Sequence, residues 1–170
     1  KMYARLFWKD QKRKGYTLYD AERLMWERNY FASMMVKNGD ADAMLSGYSR
    51  NYPSVVKPIL ETISKAKGVG KVAATNLMLT KSGPLFLSDT TINVEPTSKE
   101  LAKIAQMTGH MAGLFGIEPI IALLSFSNFG SSRFSQAKKV SEAVSILHRS
   151  NPNLVVDGPI QSDFALNKEL

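Results

Sequence analysis

Two short stretches carry the groups from which a binding site can be built. Ser46-Gly47-Tyr48-Ser49-Arg50-Asn51 offers hydroxyls, backbone N–H groups and a guanidinium, and Ser127-Asn128-Phe129-Gly130-Ser131-Ser132 offers a second set of donors. Each follows an apolar run of strand type, Ala43-Met44-Leu45 in one case and Ile120 to Ser125 in the other, and each leads toward a segment with helical periodicity. Ligands of α/β folds sit where a strand's C-terminal end feeds a helix, because the free N–H groups and the helix dipole favour anions there. Lys57, early in the helix that Pro53 opens, adds a positive charge. The candidate ligand residues are therefore Ser46, Gly47, Ser49, Arg50 and Lys57, with Ser127, Asn128, Gly130 and Ser131. Asp157-Gly158 ends a third apolar run, Leu154-Val155-Val156, and in a parallel sheet the three strand ends would line one edge.

Other chemistry finds less support. No Ser/His/Asp order has a convincing context, and neither the G-x-x-x-x-G-K phosphate loop nor G-x-G-x-x-G occurs. Cysteine is absent, so there is neither a disulfide framework nor thiolate chemistry. Asp40 and Asp42 could take a metal or move a proton, but aspartates beside a glycine turn more often fix it by accepting nearby N–H bonds. Asp89 reads the same way. His110 and His148, the two histidines, fall on separate helices without carboxylates at ligand spacing, so no metal is expected.

The net charge of +7 admits nucleic acid, but the charges are scattered apart from Lys9-Asp10-Gln11-Lys12-Arg13-Lys14, and basic-aromatic interleaving is missing. A polyanionic small ligand fits a basic domain equally well. No apolar run approaches a membrane span and no secretory leader is visible, so a cytoplasmic protein away from membranes is expected.

The elements that must position these loops alternate. Helices are expected over Lys1–Lys14, from the Thr17 cap onward, over Tyr30–Lys37 to a stop at Asn38-Gly39, after Pro53 with the stripe Val55, Val56, Ile59, Leu60 and Ile63, over Thr97–Leu114 behind a Thr97/Glu100 capping box, over Gln136–Arg149, and from Asp163. The long helix has the stripe Leu101, Ile104, Ala105, Thr108, Met111, Ala112 and Phe115. Strands are expected at Ala43–Ser46, Val72–Leu79, Leu85–Ser88, Ile120–Ser125 and Leu154–Asp157, the middle pair as a hairpin and Ile120–Ser125 covered on both faces. The fold class is α/β, a mixed, mostly parallel sheet flanked by helices.

Tyr30-Phe31, Met34-Met35-Val36, Gly39-Asp40-Ala41-Asp42, Ser46-Gly47 and Lys57-Pro58 together form a long pattern. It resembles the phosphate acetyltransferase/butyryltransferase family, enzymes that move an acyl group between coenzyme A and phosphate. The loop Ser46–Tyr52 is most like the transferase-type domain appended to large NADP-dependent malic enzymes. The resemblance implies the fold of isocitrate and isopropylmalate dehydrogenases. It implies acetyl-CoA and phosphate as ligands, a homo-oligomer, and an attached malic-enzyme domain that oxidises malate to pyruvate and CO2. NADP and a divalent metal are implied for that parent alone, and no cofactor is expected in this chain beyond coenzyme A as a ligand.

The chain matches about the middle half of the family's transferase domain. It is expected to be cut from a longer polypeptide, with 1–67 in a first lobe and 68–170 in a second. Gln11 stands where the family has an active-site arginine, and Lys57 where it has a second; lysine keeps the charge and loses the planar fork. The family's Ser-Arg pair and thiol-proton acceptor lie beyond the C-terminal end. Three functions follow in order: a regulatory and assembly domain that binds acetyl-CoA and acts allosterically on malic activity, an active phosphate acetyltransferase, and a basic nucleic-acid module.

Overall fold

Helices alone build the first of two units, Lys1–Val69, in the computed structural model, which describes residues 1–167. Helix α1 spans Met2–Gln11 and tightens through a 3-10 turn, Lys12–Lys14, to Gly15. Helix α2, Leu18–Leu24, starts at the expected Thr17, whose hydroxyl accepts the Asp20 N–H while Asp20 accepts the Thr17 N–H. Helix α3 is Arg28–Asn38 and α4 is Tyr52–Thr62. Gly39 closes α3 in the left-handed conformation, with the Asp40 N–H reaching back to the Met35 carbonyl. Asp40 also accepts the Tyr3 hydroxyl at 2.6 Å and the Asn38 amide at 2.7 Å, so it is a turn residue. Those bonds, Tyr3's first, hold its carboxyl below the usual carboxylate range. Ala4, Phe7, Ala21, Tyr30 and Met34 form this unit's core.

Three expectations for this unit change. Ala43–Ser46 is not a strand, because a strand needs a ladder and no extended segment of the unit lies beside it; Leu45 is fully exposed. Helix α3 begins two residues before Tyr30. Helix α4 buries Pro58 and Thr62 rather than the Val55–Ile63 stripe, whose Leu60 and Ile63 are exposed. Polar contacts decide that rotation. Glu61 Oε2 accepts Tyr30 OH at 2.5 Å and Tyr16 OH at 3.1 Å, and the Ser54 carbonyl accepts Asn29 Nδ2 at 3.3 Å. Burial first, then Glu61, pushes the Tyr30 hydroxyl well above the usual phenol range.

The second unit, Gly70–Leu170, carries the strands. Strands β1, Thr75–Thr80, and β2, Gly83–Ser88, form the expected hairpin, antiparallel from Thr75↔Ser88 to Thr80↔Gly83, with β1 starting after the expected Val72 and β2 before the expected Leu85. Helix α5, Ser98–Leu114, follows, then β3, Ile120–Leu124, helix α6, Ser135–Ser150, β4, Val155–Ile160, and α7, Ser162–Leu166. Strands β3 and β4 are parallel, with Ile120 opposite Val155, and α6 is the crossover that parallel pairing requires.

The described residues thus hold two separate two-stranded sheets, one antiparallel and one parallel, in place of a single mostly parallel sheet. The tight turn at Lys81-Ser82 pairs β1 with β2, and no other described strand extends either ladder. Helices α5 and α6 cover one face of β3 only. Ile121 and Leu123 turn inward, Ile120 is 82% exposed and Leu124 half exposed, so the run alternates instead of being covered on both faces. Ala137, Val140, Ala143, Val144 and Leu147 of α6 are inward. The buried side of α5 is Ala102, Ile104, Ala105, Gly109 and Ala112, turned away from Met111 and Phe115. Small residues win because the helix lies close to β3; a β-carbon on Gly109 would stand 3.3 Å from Ile121 Cδ1. Phe115 stacks edge-on against Phe86.

The start of α5 yields a testable pH dependence. Glu100 accepts the Lys71 ammonium at 2.8 Å and the Thr97 N–H at 2.8 Å, and these bonds, Lys71 first, hold its carboxyl down at about 2. A depressed folded-state pKa stabilises the fold above the unfolded value near 4.3, and that contribution is lost as pH falls toward about 2. Glu100→Gln is expected to lower the urea midpoint at pH 7, with the gap to wild type narrowing steadily as pH falls below about 4. A gap of constant size would remove the ionised cap from the account.

Candidate functional site

The Ser46 loop lies against the first turns of α3 and frames a cleft of about 620 Å³, lined by Arg28, Asn29 and Ala32 of the helix and by Met44 through Ser49 of the loop. Arg28 Nη2 donates to Ser49 Oγ at 3.1 Å, which sets a guanidinium at the loop's far end. Ser46 Oγ donates to Asn29 Oδ1 at 2.8 Å. Ser33, one turn further along α3 and fully buried, directs its hydroxyl to the Met44 sulfur at 3.4 Å. The loop is therefore held at Met44, Ser46 and Ser49 by one flank of one helix, and Tyr48 stands fully exposed between the last two contacts.

Of the candidates in this unit, Ser46, Gly47 and Ser49 line the cleft. Arg50 lies beside it, 3.8 Å from Glu27 Oε1, a charge contact too long for a hydrogen bond. Lys57 does not line the cleft. Its side chain is 66% exposed, and its ammonium lies 3.9 Å from Glu61, one turn along α4. The helix N-termini are partly used by the protein itself. Glu27 Oε2 accepts the N–H groups of Asn29 and Tyr30 at the start of α3, and Asn51 Oδ1 accepts that of Ser54 at the start of α4. Gln11 is 8% exposed, and its Nε2 donates to the Glu61 carbonyl while Oε1 has no partner. A neutral side chain, committed to α4, thus occupies the position compared above with an arginine.

Arg28 and Asn29 did not emerge from the sequence, although they hold the loop. Their helix is capped by Glu27, a residue that rarely marks a helix start, so the sequence pattern places its beginning at Tyr30 instead.

The Ser127 loop belongs to the second unit. Ser127 is 7% exposed, and its hydroxyl is enclosed without a partner. Asn128 is a latch: its Oδ1 accepts the Gln161 N–H at 2.7 Å and its Nδ2 donates to Gln161 Oε1 at 2.8 Å. The Phe129 N–H donates to the Pro159 carbonyl at 2.7 Å. Gly130 and Ser131 are exposed. At Asp89, whose backbone N–H reaches the Ala74 carbonyl at 3.0 Å, one carboxylate oxygen is enclosed without a partner. A hollow along α6, from Ser141 to Arg149, lies on a single helix face and gathers no loop donors. His148 Nε2 lies 2.9 Å from the Val156 carbonyl, and no group of three His, Asp or Glu suited to a metal occurs among the described residues. No helix among them is long and apolar enough to cross a membrane.

The phosphate acetyl/butaryl transferase family matches residues 1–170. A phosphate acetyltransferase of Clostridium acetobutylicum is 37% identical over 99% of the chain, which covers 53% of that relative. An NADP-dependent malic enzyme of Haemophilus influenzae is 39% identical over 92% of the chain and 21% of its own length. A solved phosphotransacetylase from Streptococcus pyogenes superposes with a TM-score of 0.86 at 37% identity, over 99% of this chain and 51% of that one. The chain thus spans about half the length of such stand-alone transferases, and less of the larger relatives.

Proposed function

The chain belongs to the phosphate acetyl/butaryl transferase family, and from that premise we propose that it binds acetyl-CoA and phosphate in the Arg28–Ser49 cleft as a regulatory and assembly domain of an NADP-dependent malic enzyme. The observation that carries this reading is the Arg28–Ser49 contact, which sets a guanidinium among hydroxyls in an open cleft. Guanidinium suits phosphate because its planar fork pairs two oxygens at once. Binding and catalysis separate here because only transfer requires charges aligned on the transition state. Gln11 supplies no charge, and Lys57 lies outside the cleft with its side chain largely exposed. An attached malic-enzyme portion, self-association, a cytoplasmic setting and a dehydrogenase-like completed fold belong to the same proposal.

A second reading is an active phosphate acetyltransferase, favoured by the phosphate acetyltransferases among the relatives. One experiment separates the two. Coenzyme A is titrated by calorimetry into the full polypeptide, and acetyl phosphate formation from acetyl-CoA and phosphate is assayed in parallel. Binding without turnover is expected. Turnover of the order of tens per second would establish the transferase reading instead. No heat of binding would remove both.

A further inference from the structure

Asn29 stands at the junction of three segments, and Pro58 explains why. Proline has no N–H, so Pro58 leaves the Ser54 carbonyl, four residues back in α4, without its intrahelical donor. Asn29 Nδ2 supplies that donor at 3.3 Å from a side chain that is 2% exposed. The same amide's Oδ1 accepts the Ser46 hydroxyl at 2.8 Å. One buried amide thus ties the first turns of α4 to the candidate binding loop. The assignment of its oxygen and nitrogen is fixed by chemistry, since a carbonyl can accept only and the hydroxyl takes the remaining side.

We propose that Asn29 is the positioning residue of the binding loop: it repairs the gap that Pro58 makes in α4 and, through the same amide, sets the Ser46 hydroxyl in the cleft. This rests on the reading of that cleft as a coenzyme A site. Asn29 touches no ligand; it acts through Ser46. Its neighbour Arg28 fixes the other end of the loop at Ser49. Pinning both ends before a ligand arrives removes an ordering cost that binding would otherwise bear.

The test uses the full polypeptide with Asn29→Ala, Ser46→Ala, Pro58→Ala and the two double variants that contain Asn29→Ala. Trypsin cleavage after Arg50 reports the tether, coenzyme A titration reports the site, and amide exchange over residues 59–62 reports α4. Asn29→Ala and Ser46→Ala are each expected to speed cleavage and weaken coenzyme A binding about fivefold to tenfold, as loss of one such bond implies. The Asn29/Ser46 double variant should be no worse than the worse single one, because the two act as one unit. Exchange in α4 should rise in Asn29→Ala and return to the background rate in Asn29→Ala/Pro58→Ala, where residue 58 again has an N–H. Wild-type cleavage in Asn29→Ala, multiplying effects in the double variant, or exchange that Pro58→Ala fails to restore would each overturn the proposal. Should Asn29→Ala not fold, Asn29→Asp keeps the acceptor for Ser46 and removes the donor to Ser54, and is expected to raise α4 exchange alone. If wild type takes up no coenzyme A, the ligand reading falls, while cleavage and exchange still decide the role of Asn29.

Discussion

Gly158→Ala is expected to cost at least about 2 kcal/mol of stability, enough to shift the urea midpoint of the second unit visibly. Gly158 has a φ of 139°, which alanine rarely adopts, and its added β-carbon would stand 2.5 Å from the Leu123 carbonyl oxygen and 3.2 Å from Leu123 Cβ. Neither neighbour can give way cheaply. Leu123 lies on β3 in the core with Ala102, Val140, Val144 and Leu147, and its carbonyl is backbone. Relief requires β3 and β4 to part, in the segment where their register already shifts between Ala122 and Leu124. The Asn128–Gln161 latch hangs on that same strand end, so the Ser127 loop is expected to loosen with the sheet. Equilibrium denaturation checks this. A variant that unfolds at the wild-type midpoint with an unchanged slope would show that the strands accommodate the methyl group.

Arg28→Glu is expected to weaken coenzyme A binding about a hundredfold, because it removes a favourable charge contact and installs a repulsive one at the partly screened mouth of a cleft. Lys57→Glu is the informative companion. Its side chain is largely exposed and its ammonium near Glu61, so an effect below about tenfold is expected, as for other exposed charges. Calorimetry at two salt concentrations checks both, and the wild-type affinity should fall as salt rises. Equal affinity in Arg28→Glu and wild type would take the cleft out of the ligand site. A larger loss in Lys57→Glu than in Arg28→Glu would move that site to α4.

Periodic elements were legible in the sequence. The stripe Ala137, Val140, Val144 and Leu147 and the two capping boxes at Thr17 and Thr97 stand where period and cap chemistry place them, and the middle strands pair as a hairpin, with a tighter turn than the sequence suggests. What failed depended on partners distant in sequence. Ala43-Met44-Leu45 has strand composition, but a ladder needs a neighbour, and none is present in its unit. The α4 stripe was apolar by pattern, yet Tyr16, Tyr30 and Asn29 pull its polar flank inward. The Ser46 loop was visible as a cluster of donors. Arg28 was not, because a guanidinium becomes part of a site only once the fold brings it to Ser49, over twenty residues away in sequence.

The Pro58 gap also orders the ways in which this chain can change. Proline at 58 is tolerable while an outside donor serves the half-buried Ser54 carbonyl, and where residue 58 has regained its own N–H the loss of Asn29 leaves α4 closed and releases only Ser46. The two positions are therefore epistatic for α4: a substitution that leaves the helix closed in one background opens it in the other, and the route from one pair to another runs through the state with both donors. Ser46 inherits the same dependence, because its hydroxyl is aimed by the amide that the proline makes indispensable.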